Sequence, residues 1–84
     1  MIHGYCSKTQ DFSLLRTKLQ PWGEVVVFGE RSLRLVPHDL SYPPVYFNND
    51  GSIDIWTASE DLFYQDDCLQ RLEQWLGETI TLPY

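Results

Sequence analysis

Residues 45–76, VYFNNDGSIDIWTASEDLFYQDDCLQRLEQWL, hold in succession the clearest turn and the clearest helix of the chain. Val45 to Phe47 and Ser52 to Trp56 flank NNDG, and Asp50-Gly51 is a strong hairpin signal because both residues accept left-handed backbone. Whatever the exact register, Ile53 and Ile55 share one face of the second strand, while Asp54 and Trp56 share the other. Thr57-Ala58-Ser59-Glu60 then fits a capping box, with Thr57 as cap and Glu60 reaching back to its N–H. A helix to Leu76 follows. Cys68, Leu69, Leu72, Trp75 and Leu76 form its apolar stripe, extended backwards by Tyr64 and Leu62. Asp66-Asp67 offers an alternative start for a shorter helix, and Gly77 supplies the stop.

Upstream, MIHGYC reads as a short strand in which Ile2 and Tyr5 pack inward, although Gly4 weakens it. Thr9 or Asp11 caps a helix from about Asp11 to Gln20, whose stripe is Phe12, Leu15 and Leu19 with Leu14 beside them. Pro21 and Gly23 end it. EVVVF and SLRLV, joined through Gly29 and Glu30, read as a second hairpin; a tight connection puts Val26 and Phe28 on one face with Leu33 and Leu35. Pro37 closes that strand, and His38 to Pro44 is the only real loop. Downstream, Glu78 to Leu82 alternates as a last strand that Pro83 prevents from extending.

The order β-α-β-β-β-β-α-β implies a two-layer α+β domain, with five to six short strands in an antiparallel or mixed sheet and two helices on one face. It approximates a split βαβ order with an extra hairpin. At 84 residues a single domain spanning 1–84 is expected, with about 5,200 Å² of folded surface. A partner footprint of about 800 Å² would take roughly a sixth of it. No apolar run approaches the roughly 20 residues that cross a bilayer, and the N-terminus lacks a basic start with an apolar centre. A cytoplasmic protein without membrane contact is the expectation, and its two cysteines, Cys6 and Cys68, are expected to be reduced and structural.

Charge is unevenly spread. The net value is −6, yet residues 1–34 carry five cations against three anions, net +2, whereas residues 35–84 carry Arg71 alone against nine carboxylates, net −8. Direct binding of nucleic acid is disfavoured, because neutralising phosphates needs clustered Lys and Arg. A basic protein partner is the natural complement.

Catalytic and metal chemistry find little support. There is no CxxC or HxxxH, so His3, Cys6, His38 and Cys68 have no zinc spacing and no nucleophile motif. A calcium loop fails in register: with Gly51 at its sixth position, Tyr46 takes the first and Thr57 the twelfth. Asp66-Asp67 and Glu60-Asp61 are helix neighbours that diverge by about 100°, so neither doublet shares a proton. No enzyme, metal or cofactor is expected. What remains is a mixture of rings (Tyr42, Tyr46, Phe47, Trp56, Phe63, Tyr64) with carboxylates, too many rings for a thin core to bury. Asp54, Trp56, Glu60, Asp61, Phe63, Asp66 and Asp67 are therefore the candidate partner-binding residues, rings as anchors and acids as a steering rim.

The functional expectation is a small acidic, non-enzymatic inhibitor or immunity-type protein. Its size and acidity are those of bacterial toxin-immunity proteins and of phage-encoded inhibitors of nucleic-acid-acting defence complexes, which block a basic site on a nuclease or another nucleic-acid-binding protein. The alternative is a structural or accessory subunit, monomeric otherwise, that forms a homodimer through an apolar strand edge at Val25–Phe28 or Ile80–Leu82.

Overall fold

The computed structural model describes residues 1–6, 11–29 and 31–83. Five strands form one antiparallel sheet: β1 (Ile2–Tyr5), β2 (Gly23–Phe28), β3 (Ser32–Pro37), β4 (Val45–Asn48) and β5 (Ser52–Ile55). Their spatial order is β1-β5-β4-β3-β2. Two helices, α1 (Phe12–Leu19) and α2 (Leu62–Leu76), cover one face. The expected α+β class with two helices on one face is thus observed, but the split βαβ likeness is not. β2 to β5 instead form an uninterrupted meander, and β1 joins it beside β5 at the far edge.

Alternation along the strands puts Leu33, Leu35, Val45, Phe47, Ile53 and Ile55 on the covered face, where Leu15 and Leu19 of α1 and Leu72 and Leu76 of α2 meet them. Phe47, Leu19, Leu33 and Leu35 are wholly buried, and each such side chain contributes about 1.5–3 kcal/mol relative to exposure. Leu14 and Leu62 fall off their expected stripes and are exposed. The N-cap of α1 is Asp11, whose carboxylate accepts from the Ser13 and Leu14 N–H groups; Thr9, the other expected cap, lies outside the described residues.

Both hairpins differ from expectation in their turns, and one difference has consequences. In β4–β5 the pairs are Val45 with Ile55, Tyr46 with Asp54, and Phe47 with Ile53. The Gly51 N–H bonds to the Asn48 carbonyl at 3.1 Å, and Gly51 alone is left-handed, at φ 90°. This is a three-residue connection ending in a glycine bulge. Asp50 is not left-handed as expected; its carboxylate accepts from the Ser52 N–H at 2.9 Å and the Ser52 hydroxyl at 2.6 Å, which lowers its pKa.

In β2–β3, Phe28 pairs with Ser32, Val27 with Leu33 and Val26 with Arg34. Three residues, not two, separate the strands. The expected facing is therefore reversed: Val25 and Val27 lie with Leu33 and Leu35, while Val26 and Phe28 join Arg34 on the opposite face. A shift of one residue in register exchanges every side chain between faces.

Three terminal elements also depart from expectation. In β1, strict alternation turns Ile2 and Gly4 inward and Tyr5 outward. Gly4 is required there, since a Cβ would come within 2.7 Å of Ile80 Cγ2. The segment Glu78–Leu82 is not a strand: Thr81 alone bridges to Tyr5, exchanging two backbone hydrogen bonds of 2.8 and 2.7 Å. The Ile80 N–H is instead taken by the Glu73 carboxylate at 3.0 Å. Finally, α2 starts four residues later than the capping box implies. Asp61 is its N-cap, accepting from Phe63 and Tyr64 N–H, and Thr57 and Ser59 spend their hydroxyls on the N–H groups two residues on. Residues 56–61 are consequently a second irregular segment beside the 38–44 loop. Gly77, at φ 71°, ends α2 as expected.

Candidate functional site

The sheet face without helices carries a cross-strand row of His3, Asp54, Tyr46, Arg34 and Val26 on β1, β5, β4, β3 and β2. Rings on this face touch in series: Phe28 lies 6.3 Å from Tyr46 by ring centroids, and Tyr46 lies 5.4 Å from Trp56. The Arg34 guanidinium sits 5.3 Å from the Phe28 centroid. Asp54 and Trp56 share this face, as the alternation requires. Asp54 is already engaged, accepting from His3 Nδ1 at 2.6 Å and Asn48 Nδ2 at 3.4 Å.

The remaining candidates lie on the helical layer. Phe63, Asp66 and Asp67 stand at i, i+3 and i+4 and so occupy one outer face of α2. Phe63 is 90% exposed. Among the described residues Asp66 meets only Gln70, at 3.5 Å, whereas Asp67 accepts from the Tyr42 hydroxyl at 3.0 Å. Glu60 is exposed just before the helix, and Asp61 is committed to the cap. The seven candidates therefore do not form one patch. Asp54 and Trp56 are on the opposite side of the sheet from Glu60, Asp61, Phe63, Asp66 and Asp67.

The 38–44 loop is latched onto α2 by Tyr64, Arg71 and Trp75, a role the sequence pattern did not assign to them. The Tyr64 hydroxyl donates to the Ser41 carbonyl at 2.7 Å. Arg71 donates to the Tyr42 hydroxyl at 3.2 Å and lies 5.6 Å from that ring. Trp75 stacks on Trp22 at 5.8 Å and meets Tyr42 edge-on at 5.7 Å. Together with Pro21, His38 and Asp39, the rings of Trp22, Tyr42 and Trp75 and the Arg71 side chain line a cleft of about 230 Å³. That is below the roughly 300–1,000 Å³ of small-molecule sites. The cleft reads as the seam of a packed loop.

Of the six rings expected to compete for the core, Phe47 is wholly buried and Tyr42, Tyr46 and Tyr64 are half-buried. Trp56 and Phe63 are the two that remain exposed. Cys6 and Cys68 are not joined by a disulfide. Burial pushes the Cys68 thiol up, against a lowering hydrogen bond with Tyr64, and burial likewise raises the Tyr64 hydroxyl. Among the described residues no three His, Cys, Asp or Glu side chains gather as a metal site, and no helix is long and apolar enough to cross a membrane. Compared with family models, with curated proteins and with solved structures, the chain finds no match.

Proposed function

We propose that this protein is a non-enzymatic binding module that blocks a basic site on a protein partner, and that the outer face of α2 is its contact surface. The observation that carries this reading is Phe63: its ring is 90% exposed and flanked on the same helix face by Asp66 and Asp67. An exposed ring supplies desolvated anchor area on binding, and the carboxylates steer a basic partner and raise its association rate. Glu60 extends the acidic rim. The partner class that fits is a nuclease or other nucleic-acid-binding protein whose cationic groups ordinarily meet phosphates, the inhibitor or immunity-type role expected from size and acidity.

The separation of the candidates onto two sides of the sheet provides the test. The tagged chain is used to capture its partner from the native cell, and Phe63→Ala, Asp66→Lys/Asp67→Lys and Asp54→Lys are compared under a salt series. The first two variants are expected to weaken capture at least tenfold and the double lysine variant to flatten its salt dependence, while Asp54→Lys captures as wild type. Loss confined to Asp54→Lys would move the contact to the open sheet face and refute the α2 assignment. Capture indifferent to all three would refute the acidic-face reading altogether.

A further inference from the structure

β2 is the outer edge of the sheet, with no strand beside it among the described residues, and Glu24 is the one charged residue along it. The opposite edge, β1, is partly covered by Thr81. β2 runs for six residues in unbroken register with β3, without lysine, proline or bulge, the features by which exposed edges are usually blunted. The phase of the ladder follows from two hydrogen bonds. The His38 N–H donates to the Trp22 carbonyl at 2.9 Å, so Trp22 and His38 are a bonded pair. Alternation then points the backbone groups of Glu24, Val26 and Phe28 into β3 and those of Val25 and Val27 outward. The Asn49 N–H bonding to Arg31 at 2.9 Å gives the same phase from the far side of β3.

We propose that this edge pairs with the β2 of a second copy of the chain, antiparallel about a two-fold axis at Val26, joining the two sheets into one. In that register Val25 of each copy lies opposite Val27 of the other. Both contribute outward N–H and C=O groups, which closes four backbone hydrogen bonds. Val26 meets its own symmetry mate on the open face. Glu24 comes to lie opposite the Phe28 of the second copy, the ring on which Arg34 is stacked.

The charges complement each other there. The buried Arg34 Nε has no hydrogen-bond partner, and neither Arg34 nor Glu24 takes part in a salt bridge among the described residues. Symmetry places two such Glu24–Arg34 pairs about the axis. The repulsion expected of a chain with net charge −6 is blunted, because β2 lies in the half that carries +2. This inference is independent of what α2 binds.

A seam of one strand pair falls at the small end of specific interfaces, below about 1,200 Å², so association in the micromolar range is expected. Sedimentation of the purified chain over about 1 μM to 1 mM should show a reversible monomer–dimer equilibrium. Val26→Lys sets two ammonium groups on the axis and should leave only monomer with an unchanged circular dichroism spectrum. Glu24→Arg and Arg34→Glu each remove both symmetry-related pairs and should weaken the dimer about tenfold. The double swap, Glu24→Arg/Arg34→Glu, should restore it to within about threefold of wild type. Wild-type chain that stays monomeric throughout overturns the proposal, whether or not the edge accepts an extended peptide of another protein. A dimer that survives Val26→Lys overturns it as well, and a double swap no better than its single parents overturns the register.

Discussion

The open face of the sheet and the outer face of α2 are made of the same residue types, an aromatic ring beside carboxylates, yet they differ in what those groups already touch. On the sheet, Trp56 rests on Tyr46 and Tyr46 on Phe28, and Asp54 is held by His3 and Asn48. On the helix, Phe63 is 90% exposed and Asp66 has, among the described residues, only a long contact to Gln70, although Asp67 is held by the Tyr42 hydroxyl. Residue type alone therefore does not mark a binding anchor. A ring that already packs on its neighbours contributes to the stability of the fold, whereas one with no neighbour retains its whole apolar area for a partner.

The comparison breaks first if β2 is dislodged, because β2 brings Phe28 to the ring series. Gly23 is the tightest point: a Cβ there would lie 2.3 Å from the Val36 carbonyl oxygen and 2.8 Å from Pro37 Cα. Both are backbone atoms that cannot rotate away. Gly23→Ala should cost about 3 kcal/mol by overpacking, which for a domain of this size lowers Tm by roughly 12–24 °C. Thermal unfolding followed by circular dichroism checks it, and a Tm within 3 °C of wild type would mean that β2 is not held this closely on β3.

The register of that same strand shows where sequence reading succeeded and where it failed. Strong local chemistry was legible: the Asp50-Gly51 turn, the Gly77 stop, the alternation of Ile53 and Ile55, and the stripe of Cys68, Leu72 and Leu76 all come from patterns within a few residues. The facing of Val26 and Phe28 was not, because VVVF is apolar on both sides and Glu24 alone, at the start of the strand, marks the outer face. The length of the connection, three residues where two were assumed, points the same way. The same limit hid Arg34 and Phe28 as surface features. The helix start was misplaced for a related reason: Thr57, Ser59 and Asp61 are all competent caps, and which one closes the helix depends on how the chain leaves β5. The closing strand failed because pairing needs an available edge, and at β1 only Thr81 finds one.

Of the candidate site, the residue list was legible and its division was not. Asp54 and Trp56 precede the segment that crosses from the sheet to the helical layer, so nearness in sequence suggested a single patch where the fold makes two. A direct measure of the difference is Trp56→Ala. Losing the ring contact with Tyr46, about 0.5–1.5 kcal/mol, together with its partly buried area, should cost about 1–2 kcal/mol and lower the urea midpoint at unchanged slope. A loss below about 0.3 kcal/mol would show the ring series to be no more self-supporting than the helix face.

Phe63→Ala is the counterpart and the smallest effect. Phe63 is the second residue of α2, its N–H held by Asp61 at 2.9 Å, and that bond survives the substitution. The ring is 90% exposed when folded, so removing it forfeits almost no burial, and alanine is the better helix former by up to about 0.7 kcal/mol. The expected result in the same urea titration is a midpoint unchanged or slightly raised, with stability within about 0.5 kcal/mol of wild type. A fall of more than 1 kcal/mol would mean that the ring packs against the molecule it belongs to. Neutrality in the titration combined with loss of capture would separate binding from folding at one residue, which no substitution in the ring series of the sheet can do.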